Sequence, residues 1–235
     1  TVPLGGDGER PREQQLPPAV DDPEVPVKRG AAAGAERIRG LGYAAVPFDG
    51  TAASPSLAAA IAGATHLLVS AAPDTQGDPL LRWHASDIAA SHLTWIGYLS
   101  TVGVYGNAGG AIVDEETPAR PASERALRRW QAEQAWREFG QETGLRTEIF
   151  RLPGIYGPGR SVVDNLRAGT ARRIIKPGQV FNRIHVADIA QAIDAAFARD
   201  FDDIVNVADD EPAPSGDPIV FAANLLGVDP PPVLS

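Results

Sequence analysis

The residues of this chain best placed to do chemistry follow one apolar run. Leu93 to Leu99 reads LTWIGYL and delivers two hydroxyls, Ser100 and Thr101, into a glycine turn that ends at Val104-Tyr105-Gly106. In an open parallel sheet, ligands bind beyond the carboxyl ends of the strands. Ser100 and Thr101 are therefore expected to face a cleft. Farther along, Arg125, Arg128 and Arg129 share one helical stretch. Guanidinium groups can grip a phosphate or a carboxylate through paired hydrogen bonds. They can equally form a solvated helix face, paired with Glu124, Glu133 or other acids, at about 0.3–0.5 kcal/mol per pair. Both readings stand on the residues alone.

Those side chains need a scaffold, and the rest of the chain supplies one from residue 31 onward. Ala31 to Arg39 reads as a helix closed by Gly40 and Gly42, and Tyr43 to Phe48 as a strand ending at Asp49. Ser54-Pro55 opens a helix through Ala62, with proline just inside its start. Thr65 to Ala71 is a continuous apolar strand of the buried parallel kind. Asp78 caps a helix running to Ala90, and the next strand spans Leu93 to Thr101. A long helix is expected over Ser123 to Phe139, with Gly140 and Gly144 near its end, then a strand over Arg146 to Leu152. Val186 to Arg199 reads as a helix, Ile204 to Ala208 as a short strand, and Pro218 to Leu226 as a last helix. Strands alternating with helices predict βαβ units, a parallel sheet and a three-layer α/β domain.

Residues 1–30 fit this pattern poorly. Six prolines fall between Pro3 and Pro26, and Pro11 and Pro17 interrupt the place where a helix belongs. This segment is expected to be irregular, and the first βα unit is doubtful. The chain also contains no methionine, which suggests a fragment or an altered terminus. The expected organisation is an irregular or degenerate segment over 1–30, an α/β domain over 31–160, and a small lobe with a returning helix and strand over 161–235.

Composition narrows the function. A net charge of −9 gives nucleic-acid binding no electrostatic support. No apolar run approaches the length of a membrane span, and no signal peptide is visible. Cysteine is absent, which removes thiol nucleophiles and Cys-ligated metals, and the four histidines show no metal spacing. The expectation is a soluble cytoplasmic protein with a small-molecule substrate and no metal. Self-association into a homodimer is compatible with all of this.

Four stretches, in order, resemble the extended short-chain dehydrogenase/reductase family of epimerases and dehydratases. They are Leu99-Ser100-Thr101 through Tyr105-Gly106; Asp114-Glu115 with Pro118 and Pro121-Ala122-Ser123; Arg151-Leu152-Pro153-Gly154-Ile155-Tyr156-Gly157-Pro158-Gly159; and Arg183-Ile184-His185-Val186-Ala187-Asp188. The resemblance covers about residues 36–228 and is greatest to atypical members. It implies a Rossmann-like fold and NAD or NADP as cofactor. A glycine-rich turn near the start should approach the pyrophosphate; Gly5-Gly6-Asp7-Gly8 is the candidate, or else a flexible polar tail. Arg29, with Lys28, sits near the ribose-reading position, where a basic residue favours the 2′-phosphate of NADP; a solvated loop charge is the alternative. Asp49 corresponds to the adenine contact, Ser70 and Ala71 to the cofactor-lining strand end, and Pro153, Gly154 and Ile155 to the loop over the nicotinamide.

The resemblance also exposes a gap. The family uses a tyrosine as acid/base, a lysine four residues later, and a serine or threonine that orients the substrate hydroxyl. Thr101 takes the serine/threonine position, but Arg125 and Arg129 take the other two. Arginine stays protonated and cannot accept the proton. Tyr105 or Tyr156 could substitute as the acid, or each could pack as an aromatic. Arg160, Asn182, Arg183 and His185 would approach the substrate from the smaller lobe, with the arginines gripping a diphosphate or carboxylate. His185 could instead fix the turn into the next helix. Two functions follow: an epimerase- or oxidoreductase-like enzyme acting on an anionic or nucleotide-linked molecule, or a non-catalytic dinucleotide-binding or regulatory protein of the same fold. A third reading is a family member that has lost its first βα unit.

Overall fold

A computed structural model describes residues 31–176, 178–198 and 203–234. Gly5-Gly6-Asp7-Gly8 and Arg29 lie outside the described residues.

Among the described residues, four parallel strands form the main sheet: β1 (His66–Val69), β2 (Trp95–Thr101), β3 (Arg146–Leu152) and β7 (Ile204–Asn206), in the order β1-β2-β3-β7. All seven residues of β2 pair in register with β3, from Trp95 opposite Arg146 to Thr101 opposite Leu152. Strand pleating then sorts side chains onto two faces. Ile96, Tyr98 and Ile149 point to one side. They meet Ile61 of α2 (Pro55–Ala62), Leu80 and Ile88 of α3 (Pro79–Ala89), and Trp136 of α4 (Glu124–Thr143). Trp95, Phe150 and Leu152 point to the other side, onto Ile189, Ile193 and Ala196 of α6 (Val186–Phe197). Helices thus cover both faces of a parallel sheet, the Rossmann-like three-layer arrangement expected from the alternation of elements.

The helix starts obey local chemistry. Ser54 caps α2 through Leu57 N–H, Asp78 caps α3 through the N–H groups of Leu80 and Leu81, and Ser123 caps α4 through Ala126 N–H. Both α2 and α3 carry proline at the first helical turn. A further helix, α1 (Ala31–Gly40), precedes them.

Two expectations need correction. Tyr43 to Phe48 does not form a strand. A strand exists only when a neighbour accepts its ladder of hydrogen bonds, and no described segment pairs with this one. The helix expected to stop at Phe139 instead runs through Gly140 to Thr143. Gly140 is there for close approach: a Cβ on it would lie 2.4 Å from Thr147 Oγ1 of β3. The stop is Gly144, whose φ of +71° suits glycine.

The remaining elements are small. β4 (Gly154–Tyr156) pairs with β6 (Arg183–His185), and β5 (Arg173–Ile174) with β8 (Val233–Leu234). Two helices, α5 (Val162–Arg167) and α7 (Asp217–Leu226), pack against each other.

A buried ion pair fastens α4 to the sheet. Glu133 is fully buried and Arg151 is 3% exposed. Arg151 Nη2 donates to Glu133 Oε2 at 2.7 Å, and Arg151 Nε lies 3.2 Å from both carboxylate oxygens. Burial alone would lower the Arg151 pKa, but its hydrogen bonds to Glu133 and Tyr105 prevail and raise it. Ser100 donates its hydroxyl to Glu133 as well. Ser100 is therefore turned into the sheet–helix layer rather than toward a cleft, because it shares the pleat face of Ile96 and Tyr98.

Two stability outcomes are expected. Glu133→Gln leaves the buried Arg151 charge uncompensated and should cost about 3–5 kcal/mol in urea unfolding, whereas replacing both partners by Leu and Met should recover much of that loss. Gly97→Ala should cost about 1–3 kcal/mol by overpacking, because its methyl would meet the fully buried Trp95 indole at 2.1 Å; an unchanged unfolding midpoint would contradict this packing.

Candidate functional site

The carboxyl ends of β1, β2 and β3 carry Ser70, Ala71, Thr101, Pro153, Gly154 and Ile155. Thr101 ends β2, half-buried, and its Oγ1 accepts from Gly103 N–H at 3.1 Å. That bond caps a short 3₁₀ turn over Val102–Tyr105 and leaves the Thr101 O–H as a donor. Since Thr101 lies opposite Leu152 in the ladder, Pro153, Gly154 and Ile155 start beside it on the neighbouring strand. Gly154 is exposed, while Ile155 packs partly into the core beneath α6. At the end of β1, Ser70 and Ala71 are exposed, so small side chains form a ledge there.

Arg129 joins these strand ends. Its Nη1 lies 3.0 Å from Ala71 O, 3.0 Å from the Tyr98 hydroxyl and 3.1 Å from Leu99 O. The guanidinium also stands 5.5 Å from the Tyr98 ring centroid. One nitrogen thus serves three oxygen atoms from β2 and the segment after β1, which leaves Nε and Nη2 as further donors. Tyr98 was not among the expected site residues, since its place in an apolar strand reads as core. It is core, and burial drives its phenol pKa upward against the opposing pull of Arg129.

The three arginines of α4 do not act as one cluster. Arg129 points into the strand ends and Arg125 is exposed on the first turn. Arg128 pairs with Glu124 at 2.6 Å. The helix-face reading describes Arg128, whereas Arg129 uses one guanidinium nitrogen on neutral strand-end oxygens.

Tyr105 takes its packing reading. It is 5% exposed, its hydroxyl donates to Asn206 Oδ1 at 2.9 Å, and the Arg151 guanidinium sits 4.7 Å from its ring centroid. The phenol is thus enclosed and already committed to Asn206, as a packing aromatic rather than an exposed acid.

Asp49 is exposed, and its Oδ1 accepts from Thr51 Oγ1 at 2.7 Å and Thr51 N at 2.9 Å. Those two bonds hold its carboxyl below the usual range. On the small-lobe side, His185 Nδ1 accepts from Ala187 N–H at 3.2 Å and so caps α6. This is the turn-fixing reading of His185. It also fixes the tautomer, placing the proton of the neutral ring on Nε2. The His185 ring stands edge-on to Tyr156 at 5.2 Å, and its backbone N–H donates to Asp209 Oδ1 at 3.3 Å. A hydrogen bond to Asp209 is the main cause of a raised Tyr156 pKa. Sequence spacing could not have found Asp209, which reaches these residues from beyond β7. Arg183 donates to Phe181 O at 3.4 Å, Asn182 is exposed, and Arg160 closes an exposed turn with Gly157.

Among the described residues, no group of three His, Asp or Glu side chains could hold a metal ion. No helix among them is long and apolar enough to cross a membrane.

Comparison with known proteins places this geometry. Residues 79–208 match the model of the NAD dependent epimerase/dehydratase family. No curated protein matches the chain. A solved structure of a functionally unknown conserved protein from Silicibacter pomeroyi DSS is 47% identical, with a TM-score of 0.77 over 86% of this chain and 70% of that one. The UDP-glucuronic acid 4-epimerase of Bacillus cereus, solved with NAD, shares the fold at 16% identity, with a TM-score of 0.70 over 87% of this chain and 74% of that one. The UDP-glucose 4-epimerase of Thermus thermophilus, also solved with NAD, is 23% identical, with a TM-score of 0.58 over 72% and 64% of the two chains. With a family match across more than half its length and a well-covered relative near half identity, this chain belongs to the NAD dependent epimerase/dehydratase family.

Proposed function

We propose that this protein binds NAD or NADP across the carboxyl ends of β1, β2 and β3. Its substrate is an anionic or nucleotide-linked small molecule, and the usual tyrosine–lysine pair is absent. The observation that carries the reading is the Arg129 guanidinium, held between Ala71 O and Leu99 O beside Thr101. The described residues fit a dinucleotide here: the ledge of Ser70 and Ala71 is open and small, and Gly154 keeps the facing loop free of a side chain. A bound nicotinamide would supply hydride transfer. Thr101 would donate its O–H to a substrate oxygen, that proton being free while one lone pair serves Gly103 N–H. The remaining Arg129 donors and the exposed Arg125 would stabilise negative charge on the ligand. Neither arginine can take up a proton.

The lack of a proton acceptor at positions 125 and 129 favours one alternative, a non-catalytic dinucleotide-binding or regulatory protein of the same fold. In either case, residues 31–160 would form the dinucleotide unit and residues 161–235 the substrate lobe with the returning α6 and β7. A cytoplasmic setting fits both, and a second copy of the chain is an allowed partner. Arg29 would tilt the preference toward NADP.

Calorimetric titration of the purified protein with NADH and NADPH should give saturable binding, tighter for NADPH; no heat at millimolar dinucleotide would sink the reading. Turnover on a panel of sugar nucleotides and carbonyl compounds separates enzyme from regulator. For an enzyme, Thr101→Ala should lower kcat about tenfold or more while leaving dinucleotide Kd nearly unchanged. Arg129→Lys should destabilise the fold by about 1 kcal/mol, since an ammonium at this site loses the guanidinium's reach to the part-buried Leu99 O and Tyr98 hydroxyl; a variant as stable as the parent would count against the strand-end staple.

A further inference from the structure

We propose that Arg82 is a positioning residue for the dinucleotide site: it clamps the loop at 49–51 to the loop at 70–77 and so sets the spacing of two edges of that site. The proposal rests on the dinucleotide reading above. Arg82 lies on α3, behind both loops. Its Nη1 donates to Asp74 Oδ1 and its Nη2 to Asp74 Oδ2, each at 2.8 Å, and Nη2 also reaches Gly50 O at 3.0 Å. Trp83, the next residue, donates its indole N–H to the same Gly50 oxygen at 2.8 Å. One guanidinium therefore spans two loops that are far apart in sequence.

Each loop is stiff enough to transmit this hold. Asp74 and Gly77 exchange backbone hydrogen bonds at 3.0 and 3.3 Å, and Gln76 N–H donates to Asp74 Oδ1 at 2.7 Å. On the other side, Gly50 has a φ of +79°, and a Cβ there would lie 2.9 Å from Pro79 Cβ. The 49–51 turn thus rests on the first residue of α3, with Asp49 bonded to Thr51. Ser70 and Ala71 are carried by the 70–77 loop, and Asp49 by the other. Ligands of open parallel sheets sit against such loops, so their separation governs how well a long ligand is held.

The arrangement demands arginine. Only a planar fork offers two parallel bonds to a carboxylate and a third to a carbonyl; a lysine ammonium would act as a point charge. The Asp74 carboxyl is held down to about 2, mainly by Arg82 and then by Gln76 N–H. A lowered carboxylate pKa means the pair is fully present above the ordinary carboxylate range and is lost only as pH falls through about 2, so it is intact near neutrality. The Arg82 side chain is 21% exposed and that of Asp74 49%. Pairs this open add little to global stability, so a binding effect can be read apart from unfolding.

The experiment is a double-mutant cycle on NADH affinity in the full chain, with Arg82→Lys, Asp74→Asn and the two combined. Each single variant is expected to weaken NADH binding about tenfold. The double variant should be no weaker than the poorer single, and melting midpoints should move by only a few degrees. Coupling of this kind marks the pair itself as the determinant. An Arg82→Lys protein that binds NADH within twofold of wild type overturns the clamp while leaving the dinucleotide reading intact. So does a double variant whose loss is the product of the two singles. Wild-type protein that binds neither NADH nor NADPH overturns both.

Discussion

The Glu133–Arg151 pair is the constraint on which the rest of the site depends. It lies between the longest helix and the central strands, and both members are almost wholly withdrawn from water. Removing two charges from solvent costs several kcal/mol per ion, so such a pair survives only with near-ideal geometry and every lone pair engaged. Here the carboxylate also accepts the Ser100 hydroxyl, one residue before Thr101. Sliding α4 along the sheet would break the ion pair and the Ser100 bond together. The rotation of α4 about its axis is fixed by the same contacts, and that rotation aims Arg129 at the strand ends.

From that anchor the site's chemistry follows by spacing. Glu133 and Arg129 are separated by about one helical turn, so a helix that buries the first must present the second to the same sheet. Arg129 then meets Ala71 O, Leu99 O and the Tyr98 hydroxyl, all at the edge where Thr101 emerges. A permanent cation is thereby built into the floor beneath the ledge of Ser70 and Ala71. A guanidinium there stays protonated and cannot take up a proton.

Much of the scaffold was legible beforehand because local rules and tertiary demands agree. Ser54-Pro55 and Asp78-Pro79 announce helix starts, and both start there. The apolar run before Ser100 announces a strand, and β2 is that strand; Thr65 to Ala71 reads as a buried strand, yet β1 is largely exposed among the described residues. Agreement failed where a residue's role depends on a distant partner. Tyr43 to Phe48 has a strand-like composition but no described neighbour to complete its ladder. Gly140 resembles a helix terminator until Thr147 is seen pressing against it. Tyr105 follows two hydroxyls in a glycine turn and resembles a cleft residue, yet Asn206 and Arg151 hold it inside.

What the sequence determined by itself was therefore the alternation of the main helices and strands and the parallel sheet they build. These depend on periodicity, caps and breakers, which act over a few residues. The tertiary structure alone decided which residues at the carboxyl edge remain accessible. It turned Ser100 inward and Thr101 outward, separated Arg129 from Arg125 and Arg128, and brought Asp209 to Tyr156 and Asp74 to Arg82. The physical reason is that burial and hydrogen-bond pairing are properties of two surfaces meeting, and one strand of sequence carries only its own.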